Sequence, residues 1–219
     1  MPQINPNQTL YTKRMTKNVV VWAHHRSSST NFIRYYCNDH GLKINSSTTE
    51  PLIHANKFDS NKMKDESFKV IAKSLFQIEP ALSHSMKHGY HNIILFRRDL
   101  YASFLSLRYL KLMKTPNFTP ERRIDWMLSK LPTVDFSITS LKKQVNTLDW
   151  LLTFFQHFDI TYEIVETQDS ISYMGRKINE NRKFYSPLEN EDAKNHLTSH
   201  IDSCKILKEY KKRMNKNTT

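Results

Sequence analysis

The segment NVVVWAHHRSSSTNFIRYYCNDH, residues 18–40, passes from an apolar run through a polar loop into a helical pattern. Val19, Val20, Val21 and Trp22 form a short apolar run bounded by polar residues, which suits a buried parallel strand. Phe32, Ile33, Tyr36 and Cys37 then recur at helical spacing, and Ser28 or Ser29 stands where a helix N-cap belongs. Strand, loop and helix in that order gather unpaired N–H groups, the hydroxyls of Ser27, Ser28, Ser29 and Thr30, and the guanidinium of Arg26 at one helix N-terminus. Such a place holds a doubly charged anion. An ordinary Ser-rich turn has the same composition, so the decision rests on the rest of the chain.

At 219 residues the chain suits one domain with a full core and is too short for two large ones. With 38% apolar and 11% aromatic residues a packed core is expected, not wholesale disorder. The net charge of +12 points to an anionic partner: a nucleotide, nucleic acid, an acidic polysaccharide or a membrane surface. Cys37 and Cys204 make no metal pattern and read as reduced thiols, with Cys37 on the apolar face of its helix. Residues 1–17 are polar, carry Pro2 and Pro6, and are expected to form a flexible arm before a single domain over 18–215. They lack the apolar core of a signal peptide, and no run approaches the roughly 20 residues of a membrane span. A soluble, cytoplasmic protein is the expectation.

Further strands and helices alternate. FKVIAKS (68–74) reads as a second parallel strand, with a helix as its close competitor, and a helix over 79–88 stops at Gly89. HNIILFR (91–97) is the clearest strand and runs into a helix over 99–113 with Asp99 as its cap. A second helical piece over 121–131 follows, then a long helix over 136–158 burying Ile138, Leu141, Val145, Leu148, Leu152 and Phe155. Residues 161–165 give a last strand, a short helix is expected near Ser170, and a Lys-rich helix over 189–213 closes the pattern. Gly41 sits where the first helix needs a C-terminal cap. The alternation predicts an α/β fold, an open, mainly parallel sheet flanked by helices. Ligands bind such sheets at the carboxyl ends of the strands, where the 27–30 loop, Lys73 and the Arg97-Arg98 pair should arrive.

No G-x-x-x-x-G-K-[ST] and no G-x-G-x-x-G is present, so neither nucleotide cradle is written here. HRSSST (25–30) resembles instead the P-R-S-G-S-T or P-K-S-G-T-T loop of the sulfotransferases, with His25 for Pro and Ser28 for Gly. The second departure matters, because Gly accepts a positive φ freely and Ser only at some cost. IILFRRDLYASFLSL (93–107) is similar to that family's 3′-phosphate segment, R-R-D-x-x-x-x-x-x-S, with Arg98 and Ser106 on its two defining positions and Arg97 and Asp99 on its flanks. On helix geometry Ser106 lies about 11 Å along the axis from Arg98, so an anion gripped by both would sit beside the helix. EPLIH (50–54) resembles the E-P-x-x-H segment of carbohydrate sulfotransferases. VIAKS (70–74) resembles the V-x-K-[ST]-H strand of the cytosolic enzymes, with Leu75 where that family has its basic His. TYEIVETQDSISYMGRKI (161–178) resembles the family's later Y-E-D-L-x-x-x-P segment without its Pro, so the resemblance covers about 18–178. The family's C-terminal Arg-Lys-Gly motif is not recognisable; only Arg176-Lys177 or Arg182-Lys183 stand near its place.

The resemblance implies a P-loop-NTPase-like sulfotransferase fold. It also implies transfer of the sulfuryl group of 3′-phosphoadenosine 5′-phosphosulfate (PAPS) to a hydroxyl or amine, with no metal. That transfer passes through a loose, anionic, in-line transition state akin to phosphoryl transfer. Arg26 would stabilise the leaving phosphate, His25 to Thr30 would surround it, and Arg98 and Ser106 would grip the 3′-phosphate. With the family His absent, Glu50 is the best-matched base and His54 the runner-up; Lys73 would assist at the sulfuryl group. A Glu before a Pro is equally an ordinary solvated loop residue. His24 stands at the loop as a further cofactor contact, while His40, His84, His88, His91, His157, His196 and His200 read as surface residues, and Trp126, Trp150 and the 150–158 run as core. The expected partner is a small-molecule or carbohydrate acceptor, not nucleic acid. A basic nucleic-acid or polyanion binder, an inactive protein of the same fold and a small-molecule kinase are the competing readings.

Overall fold

The computed structural model describes residues 17–45, 63, 65–113, 135–167 and 190–216. Strand β1 (Val19–Ala23) leads through the polar loop to helix α1 (Ser29–His40). Then follow β2 (Phe68–Ile71), α2 (Leu75–Lys87), β3 (His91–Phe96), α3 (Leu100–Met113), α4 (Asp135–His157), β4 (Tyr162–Glu166), α5 (Glu191–Ser203) and α6 (Lys205–Lys216). The expected arm at the N-terminus, the helices near 121–131 and Ser170, Trp126, the EPLIH segment and the Arg176 and Arg182 pairs lie outside the described residues.

The four strands are all parallel, in the order β2-β1-β3-β4. β1 is wholly buried at the centre, with Val20 opposite Phe68 on one side and Asn92 on the other. Alternate residues face opposite layers. Val19, Val21 and Ala23 pack with Phe32, Ile33, Tyr36 and Cys37 of α1. Val20 and Trp22 join the larger core built with α2 to α6, where Leu141, Val145, Leu148, Leu152 and Phe155 form the expected stripe of α4. Chirality explains the asymmetry. The crossover from β1 to β2 runs one way along the sheet and those from β2 to β3 and β3 to β4 run the other, so right-handed connections send α1 to one face and the later helices to the other.

Several local expectations change. The 68–74 strand ends at Ile71, leaving Lys73 beyond it, and α2 begins at Leu75, one turn before the expected 79. Pro80 lies inside that helix, where it removes only the bond to the exposed first turn. The C-terminal helix is two helices, because Cys204 is extended and the Asp149 carboxylate of α4 accepts from the N–H groups of Lys205 (2.9 Å) and Ile206 (2.8 Å), starting α6 afresh. His40, His84 and His91 are buried, not surface residues: His40 stacks on Tyr36, His84 meets the Tyr90 hydroxyl, and His91 lies 3.0 Å from Glu163. Trp150, expected in the core, is 39% exposed at the rim of α4, with Phe158 exposed near it. Gly41 takes the left-handed C-cap as expected (φ 64°), and Leu42 N–H closes back on the Cys37 carbonyl at 2.8 Å. Burial pushes the thiols up, Cys37 to about 11 and Cys204 to about 12, which leaves both unreactive.

Asp149 is thus a tertiary N-cap with no counterpart in local sequence. Asp149→Ala should destabilise the protein by about 1–2 kcal/mol in urea unfolding, as other cap deletions do. An unchanged midpoint would mean that α6 starts without it.

Candidate functional site

The order β2-β1-β3-β4 reverses direction at β1 and β3: the chain leaves β1 toward β2 and leaves β3 toward β4. The crevice outside the carboxyl ends of two such strands is where open parallel sheets bind ligands. The loop of residues 24–28 and the Arg97-Arg98 pair border this crevice.

His24, fully buried, ties the two strand ends together. The Arg97 N–H donates to its Nε2 at 2.9 Å, so Nδ1 carries the ring proton and donates to the His25 carbonyl, also at 2.9 Å. Burial, above all, pushes its pKa down to about 4. The expectation of a cofactor contact at His24 therefore gives way to a structural brace, since both ring nitrogens are engaged within the protein. Ser27 is also buried; its hydroxyl donates to the His24 carbonyl at 2.8 Å, and its own carbonyl accepts from Thr167 Oγ1 at 3.0 Å. The same Thr167 hydroxyl lies 3.0 Å from the Phe96 carbonyl, so its one proton is shared between the two carbonyls, and the His25 N–H donates to Gln144 Oε1 of α4 at 2.8 Å. No local signal in the sequence marks Gln144 or Thr167: Gln144 meets His25 across 119 residues, and Thr167 meets Ser27 across 140 and Phe96 across 71.

Arg26 (φ 63°) and Ser28 (φ 60°) are both left-handed. Left-handed residues in a turn gather successive N–H groups on a concave side, a shape that suits anions. Ser28 occupies the N-cap of α1, yet its hydroxyl accepts nothing from the first turn, and α1 carries no acidic residue there. Ser29 is buried, while Ser28 and Thr30 are half-buried at the rim.

The two distant segments meet through side chains. Arg26 Nε donates to Ser106 Oγ of α3 at 2.8 Å. Among the described residues this is the one hydrogen bond of the Arg26 side chain, so its two Nη groups remain available for a bidentate oxyanion. His25, half-buried, is pushed down to about 4, first by burial and then by the positive charges of Lys73, Lys69 and Arg26. Lys73 therefore shares the neighbourhood of the loop. Arg98 does not turn to Ser106: its guanidinium lies 5.8 Å from the Tyr210 ring centroid, and its N–H donates to the buried Glu166 carboxylate at 3.1 Å. Glu50 and His54 lie outside the described residues. The structure thus brings together His25, Arg26, Ser27 to Thr30, Lys73 and Ser106, with Arg98 at the edge of the same crevice. Among the described residues no three His, Cys, Asp or Glu side chains converge as a metal site would require.

No protein-family model matches the chain, and comparisons with curated proteins and with solved structures give no match either.

Two outcomes test this geometry. Unfolded, His24 takes a proton near its ordinary 6.5, while folded it resists until about 4. The unfolded chain therefore binds more protons in that window, and stability falls as pH drops from 6.5 to 4. The contribution of His24 is on the order of 3 kcal/mol, so the pH dependence of unfolding should flatten by that order in His24→Gln. In Ser28→Gly, relief of the left-handed strain outweighs the extra chain entropy, so the unfolding free energy should rise by up to about 1 kcal/mol and the urea midpoint with it. A drop would show that Ser28 is not strained.

Proposed function

We propose that this protein is a sulfotransferase that moves the sulfuryl group of PAPS to a hydroxyl or amine of an acceptor. The observation that carries the proposal is the Arg26–Ser106 hydrogen bond. It joins the two segments that resemble the family's 5′- and 3′-phosphate motifs, across eighty residues of sequence, at the switch point of a parallel sheet. The left-handed φ of Ser28, at the family's Gly position, supports it further.

PAPS supplies a sulfuryl group on a phosphate leaving group; the S–O bond to that phosphate breaks as the acceptor oxygen or nitrogen bonds to sulfur and loses its proton to a base. Arg26, anchored at Nε by Ser106, presents its Nη donors to the oxygens where negative charge grows. The open N–H groups at the start of α1 hold the phosphate by their partial positive charge. Lys73, beyond β2, adds charge on the sulfuryl side. The cations beside His25, namely Lys73, Lys69 and Arg26, which add to burial in keeping it neutral, would stabilise the anions of the transition state. Arg98 and Ser106 take the 3′-phosphate, with Arg98 leaving Tyr210 to do so. Glu50, or His54 in its place, accepts the proton from the acceptor. The reading requires no metal.

The desulfated product, 3′-phosphoadenosine 5′-phosphate, should raise the melting temperature selectively over AMP and ATP. At 100 times its dissociation constant the gain is about 2.7 kcal/mol. Arg26→Ala and Arg98→Ala should abolish the shift, and Ser106→Ala should weaken it. An equal response to ATP, or none to the 3′-phosphorylated nucleotide, would sink the proposal.

A further inference from the structure

Helix α6 presents a solvent face made almost wholly of lysine. Its exposed residues are Lys205, Lys208, Lys211, Lys212, Asn215 and Lys216, all within one side of the helix, opposite the buried Ile206, Leu207 and Tyr210. The only acid of the helix, Glu209, is turned aside and paired with Arg213 at 3.1 Å, and Arg213 in turn packs 4.4 Å from the Tyr162 ring. Lys205 reaches back to Thr153. Lys208, Lys211 and Lys212 have no ion-pair or hydrogen-bond partner for their ammonium groups among the described residues. Like charges one turn apart, as at Lys208 with Lys211 and Lys212, disfavour a helix. The helix holds its place through the Asp149 cap and its buried side. Local conflicts of this kind that a fold sustains mark functional surfaces.

The face adjoins the crevice. Tyr210, on the inner side of α6, lies under Arg98 and packs edge-on against Phe96 at the carboxyl end of β3. One helix width, about 10 Å, therefore separates the cationic edge of the crevice from the lysines. The exposed face carries no aromatic ring or arginine to stack on or fork to a nucleobase. It also has no exposed apolar side chain to enter a lipid surface. What it offers is a row of point charges, complementary to a flexible chain of carboxylates or sulfates.

We infer that α6 is the docking surface for an anionic polysaccharide, and that the acceptor of the proposed transfer is a chain of this class, bearing uronate or existing sulfate groups. The word acceptor rests on the sulfotransferase reading; the binding face does not. Lys208, Lys211 and Lys212 hold the chain by charge while a hydroxyl of the same chain reaches the Arg26 loop.

The test is fluorescence anisotropy with a labelled chondroitin oligosaccharide across a salt series, on wild type and on Lys208→Gln/Lys211→Gln/Lys212→Gln. Neutral dextran and a short DNA duplex of matched charge serve as competitors, and 3′-phosphoadenosine 5′-phosphate stabilisation is measured in parallel. The triple variant should bind chondroitin about tenfold or more weakly, with a log–log salt slope shallower by roughly three, and keep its nucleotide response. Dextran should not compete, and the duplex should compete less well than chondroitin. Wild-type affinity in the triple variant, or tighter binding of the duplex, overturns the inference. Chondroitin binding that depends on these lysines, without any nucleotide response, supports the face and overturns the transferase.

Discussion

Only a neutral imidazole at His24 can accept the Arg97 amide proton at Nε2 while giving its own proton from Nδ1 to the His25 carbonyl. Much of the carboxyl edge follows from that pair of bonds. They lock the end of β1 to the end of β3, and the Ser27 hydroxyl and Thr167 extend the lock to the helix start and to the end of β4. The loop so held contains two left-handed residues and no glycine, a conformation costing about 1–2 kcal/mol per residue if nothing compensates. Buried hydrogen bonds around it, each worth about 1 kcal/mol net, are sufficient to hold it. Strain maintained in this way is a common property of sites that must be shaped before a ligand arrives.

Topology decides what that shaped loop can meet. Because the chain turns back across β1 after β2, the loops that follow β1 and β3 diverge and leave a crevice between them. Four cationic side chains, Arg26, Lys73, Arg97 and Arg98, lie along or beside its edge, and the two histidines of the loop are both kept neutral, so they add no further charge. A field of fixed cations beside an uncapped helix start requires little reorganisation when an anion binds or when negative charge develops in a reaction.

The parts legible in the sequence are those whose cause is local. β1 is an unbroken apolar run and β3 carries one from Ile93 to Phe96, the stripe of α4 repeats at helical spacing, and Gly41 and Gly89 mark the two helix ends that turn left-handed on a glycine. The start of α2 was not legible because the helix carries Pro80 behind an exposed first turn, whereas a proline more often stands at a helix beginning. The break at Cys204 was hidden because its cause, Asp149, sits on another helix. Histidine burial was illegible because it depends on what packs over each ring: His40 bonds to Tyr36 within its own helix, while His84 meets the Tyr90 hydroxyl and His91 lies beside Glu163 of the neighbouring strand. In the site, the loop and the Arg97-Arg98 strand end were legible as motifs, but Gln144 and Thr167 carry no motif at all.

Ser106 shows most clearly how motif and geometry differ. Sequence spacing couples it to Arg98, yet a residue two turns into α3 stands well beyond the strand end where Arg98 sits, and faces the β1 loop instead. Its hydroxyl fixes the Nε end of Arg26 and so sets the direction of a planar group whose other donors have no partner among the described residues. A lysine at position 26 would lack this division of labour, because one ammonium cannot be anchored at one edge and forked at the other. The serine can still offer its hydroxyl to a second anion beside the helix, since one oxygen accepts from Arg26 and donates its own proton elsewhere. In the proposed sulfotransferase reading, a single side chain in the middle of α3 would thereby couple the orientation of Arg26 to the occupancy of a neighbouring anion site.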